Sequence, residues 1–85
     1  MKVLWLESAW EEYCDWQKED KKTLRRINEI IREIQRTPFN GLGKPERLRG
    51  NLTGFWSRRI DSRNRIIYMV EKDVVKIVAC KGHYK

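Results

Sequence analysis

A chain of 85 residues is a single domain, and at that size it buries only roughly 60 to 65 per cent of the surface of its unfolded form, which leaves no room for a deep pocket. A hydrophobic content of 40% with four Trp, three Tyr and two Phe excludes a disordered chain, and a net charge of +7 favours an anionic partner. Cys14 and Cys80 stand far apart beside a single histidine, which gives neither zinc-ligand spacing nor a disulfide framework, so a reduced, cytoplasmic protein without metal is expected.

The opening Met1-Lys2-Val3-Leu4-Trp5-Leu6 is basic and then apolar, but the apolar run stops at Glu7, too soon for a secretory leader or a membrane span. No membrane partner is expected, and Lys2 to Leu6 is β-prone and reads as a first strand. Ser8 stands three residues before Glu11, the spacing of a capping box, and Trp10, Tyr13, Cys14 and Gln17 follow at helical intervals, so a first helix is predicted over Ser8–Glu19. Asp20 caps a second helix. There Leu24, Ile27, Ile30, Ile31 and Ile34 fall on one side at 100° per residue, with Lys21, Arg25, Arg32 and Arg36 on the other. It ends near Thr37, because Pro38 disfavours a helical residue before it. The two helices form a hairpin that covers one face of a sheet.

Gly41 and Gly43 mark a loop, and Pro45 confines Glu46–Leu48 to a short edge strand. Phe55–Ile60 and Arg65–Val70 read as antiparallel strands joined across Asp61-Ser62-Arg63-Asn64, and Val74–Cys80 as a further strand after a turn near Lys72-Asp73. The order of strand, helix hairpin and then three or four hairpin-linked strands predicts an α+β fold with a mainly antiparallel sheet. A three-residue turn after Val70 pairs Val70 with Val74 and puts Arg65 on one face with Lys81 and His83. A two-residue turn does not, and a bulge at Gly82 would shift the assignment again.

The charge is unevenly placed. Residues 34–70 carry eight Lys and Arg against two acids, whereas residues 1–33 are nearly balanced. The stretch from Lys44 to Arg65 holds Lys44, Glu46, Arg49, Arg58, Arg59 and Arg65, a composition suited to holding phosphate through counterion release. Cleaving RNA through its own 2′-hydroxyl needs a base, cations for the charge developing on phosphorus, and an acid for the leaving 5′-oxygen. Glu46 is the candidate base, Arg65 with Arg49 and Arg59 the candidate stabilisers, and His83, with an unperturbed pKa of about 6.5, the candidate acid. Lys44 and Arg58 join them as candidate RNA contacts, and the scheme requires no metal or other cofactor. Each assignment has a plainer competitor: Glu46 as a surface carboxylate paired with Arg47 or Arg49, His83 and Tyr84 as a frayed tail or edge packing, Arg25, Arg32 and Arg36 as a solvated helix face.

Lys44-Pro45-Glu46 with Leu48, Asn51-Leu52, the run Gly54 to Ile60, Arg65 before an aliphatic strand, and the closing His83-Tyr84 resemble the YoeB toxins of bacterial toxin-antitoxin systems. The likeness extends to Met1–Trp5 and Arg36-Thr37-Pro38-Phe39 and so spans essentially the whole chain. The resemblance implies a RelE/ParE-like domain over residues 1–85 and a ribosome-dependent endoribonuclease that cuts messenger RNA in the ribosomal A site. It implies Glu46 as general base, Arg65 as transition-state stabiliser, His83 as general acid and Tyr84 as a terminal aromatic needed for activity. Arg49 stands where these toxins often have Lys, and Lys85 extends past the usual end. Implied partners are messenger RNA, the 70S ribosome and a YefM-type antitoxin, with a homodimer also open, and Arg25, Arg32 and Arg36 would meet ribosomal RNA. A ParE-like gyrase inhibitor and a non-catalytic RNA- or ribosome-binding module are the alternatives; neither needs Glu46 and His83 together.

Overall fold

A computed structural model describes residues 1–82; the expectations for His83, Tyr84 and Lys85 lie outside the described residues. The elements are β1 (Lys2–Trp5), α1 (Glu7–Glu19), α2 (Lys21–Arg36), β2 (Glu46–Arg47), a 3-10 turn (Gly50–Leu52), β3 (Trp56–Arg59), β4 (Arg65–Glu71) and β5 (Val74–Ala79). They build one five-stranded sheet in the order β1-β5-β4-β3-β2. Its last four strands pair antiparallel in succession, β1 joins β5 in parallel, and the helix hairpin carries the chain from β1 to β2 at the opposite edge. The fold is therefore α+β, as expected.

The second helix forms as its pattern requires. Asp20 Oδ1 accepts the backbone N–H groups of Lys22 and Thr23, Asp20 Oδ2 accepts the Thr23 hydroxyl, and Ile27, Ile30, Ile31 and Ile34 are buried. The first helix departs from expectation. It begins at Glu7 with Leu6 as its cap, and no side chain caps it, because Leu6 is still tied to β5 through Ile77 while its carbonyl already accepts from Trp10. Ser8 thus lies inside the first turn and the capping box does not form. The inward residues of α1 are Ala9 and Trp16; Trp10 is exposed, stacks on Tyr13 and meets Trp5 edge to face instead.

These helical residues pack against Ile60, Ile66, Tyr68, Val75 and Ile77 in a single core. Strand alternation then sorts the sheet: Trp56, Arg58, Ile66 and Tyr68 face the helices, and Ser57, Arg59, Arg65, Ile67 and Met69 face the other way. The second face is not bare. The segment from Arg49 to Phe55 folds over its centre, leaving Ile67 and Ser57 with little exposure.

The turn after β4 decides between the two registers that the sequence leaves open. It has two residues, Lys72 and Asp73, with Lys72 at φ 56°, so that Glu71 pairs with Val74 and Val70 with Val75. A register shift between Ile67 and Tyr68 follows, pairing Tyr68 with Ile77 but Ile67 with Ala79. One slip offsets the other, and Ile67 and Ala79 share the face that the three-residue turn would have given them.

Candidate active site

Glu46 sits on the edge strand β2, exposed, with Ser57 of β3 opposite. The strand is aligned by a bond outside it, from the Arg59 N–H to the Gly43 carbonyl at 2.7 Å. This approach requires glycine: φ is +86°, and a Cβ at position 43 would lie 2.9 Å from the Arg59 carbonyl oxygen. Lys44, exposed at φ 52°, follows at once. Glu46 and Arg49 line one open cleft of about 900 Å³ together with Phe39, Arg47, Leu48 and Trp56. Among the described residues Glu46 forms no ion pair, so its reading as a partner of Arg47 or Arg49 is not realised.

Arg65 begins β4 directly opposite Arg59, which is exposed. Arg65 is half-buried, and its Nη1 is buried with no hydrogen-bond partner among the described residues. It lines a second, smaller hollow of about 220 Å³ with Leu52, Ile67, Ala79, Lys81 and Gly82. Glu46 and Arg65 lie on the same sheet face, two strands and two residues apart. With strand spacings of about 4.8 Å and about 3.4 Å per residue, their Cα atoms are about 12 Å from each other.

The chain leading into the tail is held from both sides. On the α1 side, Trp16 Nε1–H donates to the Cys80 carbonyl at 2.9 Å, Glu12 Oε1 accepts the Cys80 N–H at 2.8 Å, and Lys81 Nζ pairs with Glu19 at 3.0 Å. On the β4 side, Asn64 Oδ1 accepts the Gly82 N–H at 2.8 Å and the Arg65 N–H donates to the Gly82 carbonyl at 3.1 Å. Asn64 is itself fixed by Asp61, whose carboxylate accepts its backbone and side-chain N–H groups. Burial is the largest single influence on the Asp61 carboxyl and raises it, but the hydrogen bonds from Arg63 and Asn64 together outweigh it and hold the carboxyl below its ordinary value. Burial, reinforced by the Glu12 carboxylate, pushes the Cys80 thiol up to about 12, so it is inert. Among the described residues no cluster of three His, Cys, Asp or Glu could hold a metal ion, and no helix is long and apolar enough to cross a membrane.

Residues 5–84 match the family model described as the YoeB-like toxin of bacterial type II toxin-antitoxin systems. This chain belongs to that family. It is 50% identical to the toxin YoeB of Escherichia coli over 84 residues, covering 99% of this chain and 100% of that one. Among solved structures it resembles a YoeB/ParE toxin from Agrobacterium tumefaciens at 43% identity and a TM-score of 0.96, covering 99% and 100% of the two chains. YoeB of Staphylococcus aureus, solved in a heterotetrameric complex with YefM and as a dimer, is 41% identical with TM-scores of 0.91 and 0.92, over 99% of this chain and 98% of that one.

In this YoeB-like toxin Arg58 is not an RNA contact, which corrects the expectation for it. Its side chain is fully buried on the helix side of the sheet. Nε–H donates to Tyr68 Oη at 3.0 Å, Nη1–H to the Leu42 carbonyl at 3.1 Å, and Nη2–H to the Thr37 and Asn40 carbonyls. A signal was present in the sequence: Trp56, Arg58 and Ile60 alternate, so Arg58 shares the apolar side of its strand. Arg25, Arg32 and Arg36 are exposed on α2, away from the buried isoleucines. Sequence reasoning missed Asp61 and Asn64, although an Asp three residues before an Asn is the spacing of a side-chain-capped turn. It also left Phe39 without a role, and nothing local in the sequence says that Phe39 meets Trp56.

Proposed function

We propose that this YoeB-like toxin is a ribosome-dependent endoribonuclease that cuts messenger RNA in the ribosomal A site and so stops translation. Glu46 takes the proton of the 2′-hydroxyl, the freed oxygen attacks phosphorus, and the bond to the 5′-oxygen breaks as His83 supplies the proton that the leaving oxygen needs. Arg65, with Arg59 opposite it and Arg49 beside Glu46, offsets the charge gathering on the phosphoryl oxygens. Tyr84 completes the set, and Lys44 contacts the RNA backbone. The observation that carries this reading is a Glu46 carboxylate without an ion pair among the described residues, on the same sheet face as an Arg65 nitrogen that is buried and without a described partner.

A site so open cannot orient RNA alone. Positioning contributes more than acid-base groups do, and the 70S ribosome would supply it, meeting Arg25, Arg32 and Arg36 on α2. In the cytoplasm the toxin would be restrained by a YefM-type antitoxin, a partnership supported by the Staphylococcus aureus complex. The dimer of that relative supports a homodimer here, for which the exposed Leu4, Leu6 and Trp10 offer an apolar patch. A gyrase inhibitor or a non-catalytic binding module would leave the Glu46 and Arg65 arrangement without a use.

Primer extension on a defined message in a purified translation system tests this. Cuts at the A-site codon that need stalled ribosomes and fade with both Glu46→Gln and His83→Gln are expected. Ribosome binding without cuts would leave only a binding module, and neither activity would direct attention to gyrase.

A further inference from the structure

The hollow against Arg65 lies on the same sheet face as Glu46, and the reaction scheme gives it no occupant. It encloses about 220 Å³ and is lined by four apolar residues, Leu52, Ile67, Val78 and Ala79, besides Arg65 and the start of the tail. Val78 is there because of the register shift. Tyr68 pairs with Ile77 and Ile67 with Ala79, so Val78 is the extra residue of a bulge, a device that re-aims a side chain. Lys81 brings no free charge to the hollow, since its ammonium pairs with Glu19 at 3.0 Å and lies 5.2 Å from the centre of the Trp16 ring, on the α1 side. Arg65 is left as the available cation of the lining, and what fits beside it is an uncharged apolar body joined to an anion.

The chemistry of the proposed cleavage gives the site a direction. The 2′-hydroxyl that loses its proton at Glu46 belongs to the nucleoside on the 5′ side of the cut, and the oxygen that leaves belongs to the nucleoside on the 3′ side. Glu46 stands on β2 and Arg65 two strands away on β4, where the Arg65 N–H donates to the carbonyl of Gly82, the residue before the proposed acid. RNA laid across β3 in that order sends its 3′ nucleoside over β4 and β5, where the hollow opens. We propose that this hollow is the subsite for the base of the nucleoside on the 3′ side of the cut. The inference rests on the RNA-cleaving reading of the same site and names how the leaving nucleoside is held. A base is a flat, uncharged ring carried a few bonds from a phosphate, the combination that an apolar hollow beside an arginine accepts, whereas a second phosphate in the hollow would be stripped of water with no further cation to meet it.

All four apolar lining residues carry methyl groups, so a base seated on them reports itself by ring-current shifts in methyl NMR. The probe is a trinucleotide with 2′-deoxy sugars, which cannot be cut, titrated into the free protein. The methyls of Leu52, Ile67, Val78 and Ala79 should shift saturably while those of buried Ile27 and Ile30 stay in place, and the shifts should vanish when the 3′ nucleotide lacks its base. On stalled ribosomes, a message with the base on the 3′ side of the cut should be cleaved about 10-fold faster than one lacking that base alone. Ala79→Leu, which fills the hollow, should bring the first rate down to the second and leave the second unchanged, its thermal midpoint confirming the fold. Equal shifts with and without the base, no shifts, equal cutting of the two messages, or shifts that are present without RNA and lost in Tyr84→Leu would each overturn the subsite. No cutting of either message by the unmodified protein, with base-dependent shifts intact, would sink the cleavage reading and leave the subsite standing.

Discussion

Replacing Arg58 by Met should cost this domain about 3 kcal/mol, because a buried hydrogen-bond hub disappears while its volume is nearly kept. Four acceptors are involved, and hydrogen bonds to a charged donor are worth about 1.5 to 3 kcal/mol each. They do not all count in full. The Thr37 carbonyl also accepts from the Asn40 N–H at 3.4 Å and the Asn40 carbonyl from the Thr37 hydroxyl at 3.0 Å, so both keep a partner. The Leu42 carbonyl and the lone pair of Tyr68 Oη lose theirs. The cost of burying a guanidinium vanishes with it, which holds the net loss toward the low end of what breaking a buried charged contact costs, about 3 to 5 kcal/mol. For a chain of this size about 3 kcal/mol corresponds to a fall in Tm of roughly 12 to 24 °C. Urea unfolding with an unchanged m-value measures it, and Arg58→Lys, whose ammonium reaches fewer of these acceptors, should fall between. A loss below about 1 kcal/mol for Arg58→Met would refute the reasoning, since it would mean that water reaches these carbonyls as readily as the guanidinium does.

Asn64→Ala removes the acceptor for the Gly82 N–H, one residue before His83, and should lower cleavage about 10- to 100-fold through kcat, with ribosome co-sedimentation unchanged. Loss of ribosome binding instead would show that Asn64 serves the fold at large. Because the Asp61 carboxyl is held below its ordinary value of 3.8, its contribution to stability is present above the unfolded-state value and is lost as pH falls through the lower folded-state value. Acid titration of Asp61→Asn should therefore show a flatter loss of stability below about pH 4 than the unmodified chain shows. Thiol labelling at pH 8 should modify Cys14, which is half-buried, in the native protein and Cys80 only after denaturation. Rapid native labelling of both would contradict the burial of Cys80.

The parts of the fold that were legible in the sequence are those that local pattern controls. The isoleucine stripe of α2, the Asp20 cap and the successive hairpins each follow from spacing and from residue chemistry that acts within a few positions. The failures share a different cause. Ser8 and Glu11 have the spacing of a capping box, but a strand bond at Leu6 from β5 starts the helix earlier, and no local pattern contains that bond. Sequence alone leaves the length of the turn at Lys72-Asp73 open between two and three residues, and the two-residue turn with a second irregularity at Ile67 and Tyr68 gives Ile67 and Ala79 the shared face that a three-residue turn alone would have given them. Arg58 was read by charge when its alternation with Trp56 and Ile60 pointed inward. Charge is a weak guide wherever strand parity says otherwise.

Under the proposed reaction, the arrangement of the site accounts for how so shallow a domain would act on RNA. A Glu side chain reaches roughly 5 Å from its Cα and an Arg roughly 7 Å, from ordinary bond lengths. Together these reaches match the separation of about 12 Å between the Cα atoms of Glu46 and Arg65, so both groups can meet one ribose-phosphate unit laid across β3. Rigidity comes from β3, which pairs with both neighbours and carries buried Arg58 on its other side. The acid that the scheme needs, His83, comes directly after Gly82 in the sequence, and Gly82 is held by Asn64 from one side, while its predecessors Cys80 and Lys81 are held by α1 from the other. The proposed base and cation are thus set by the fold, and the residue before the proposed acid is set by a clip of a few hydrogen bonds. Substitutions in that clip should therefore reduce turnover with little effect on stability, whereas substitutions beneath β3 should do the reverse.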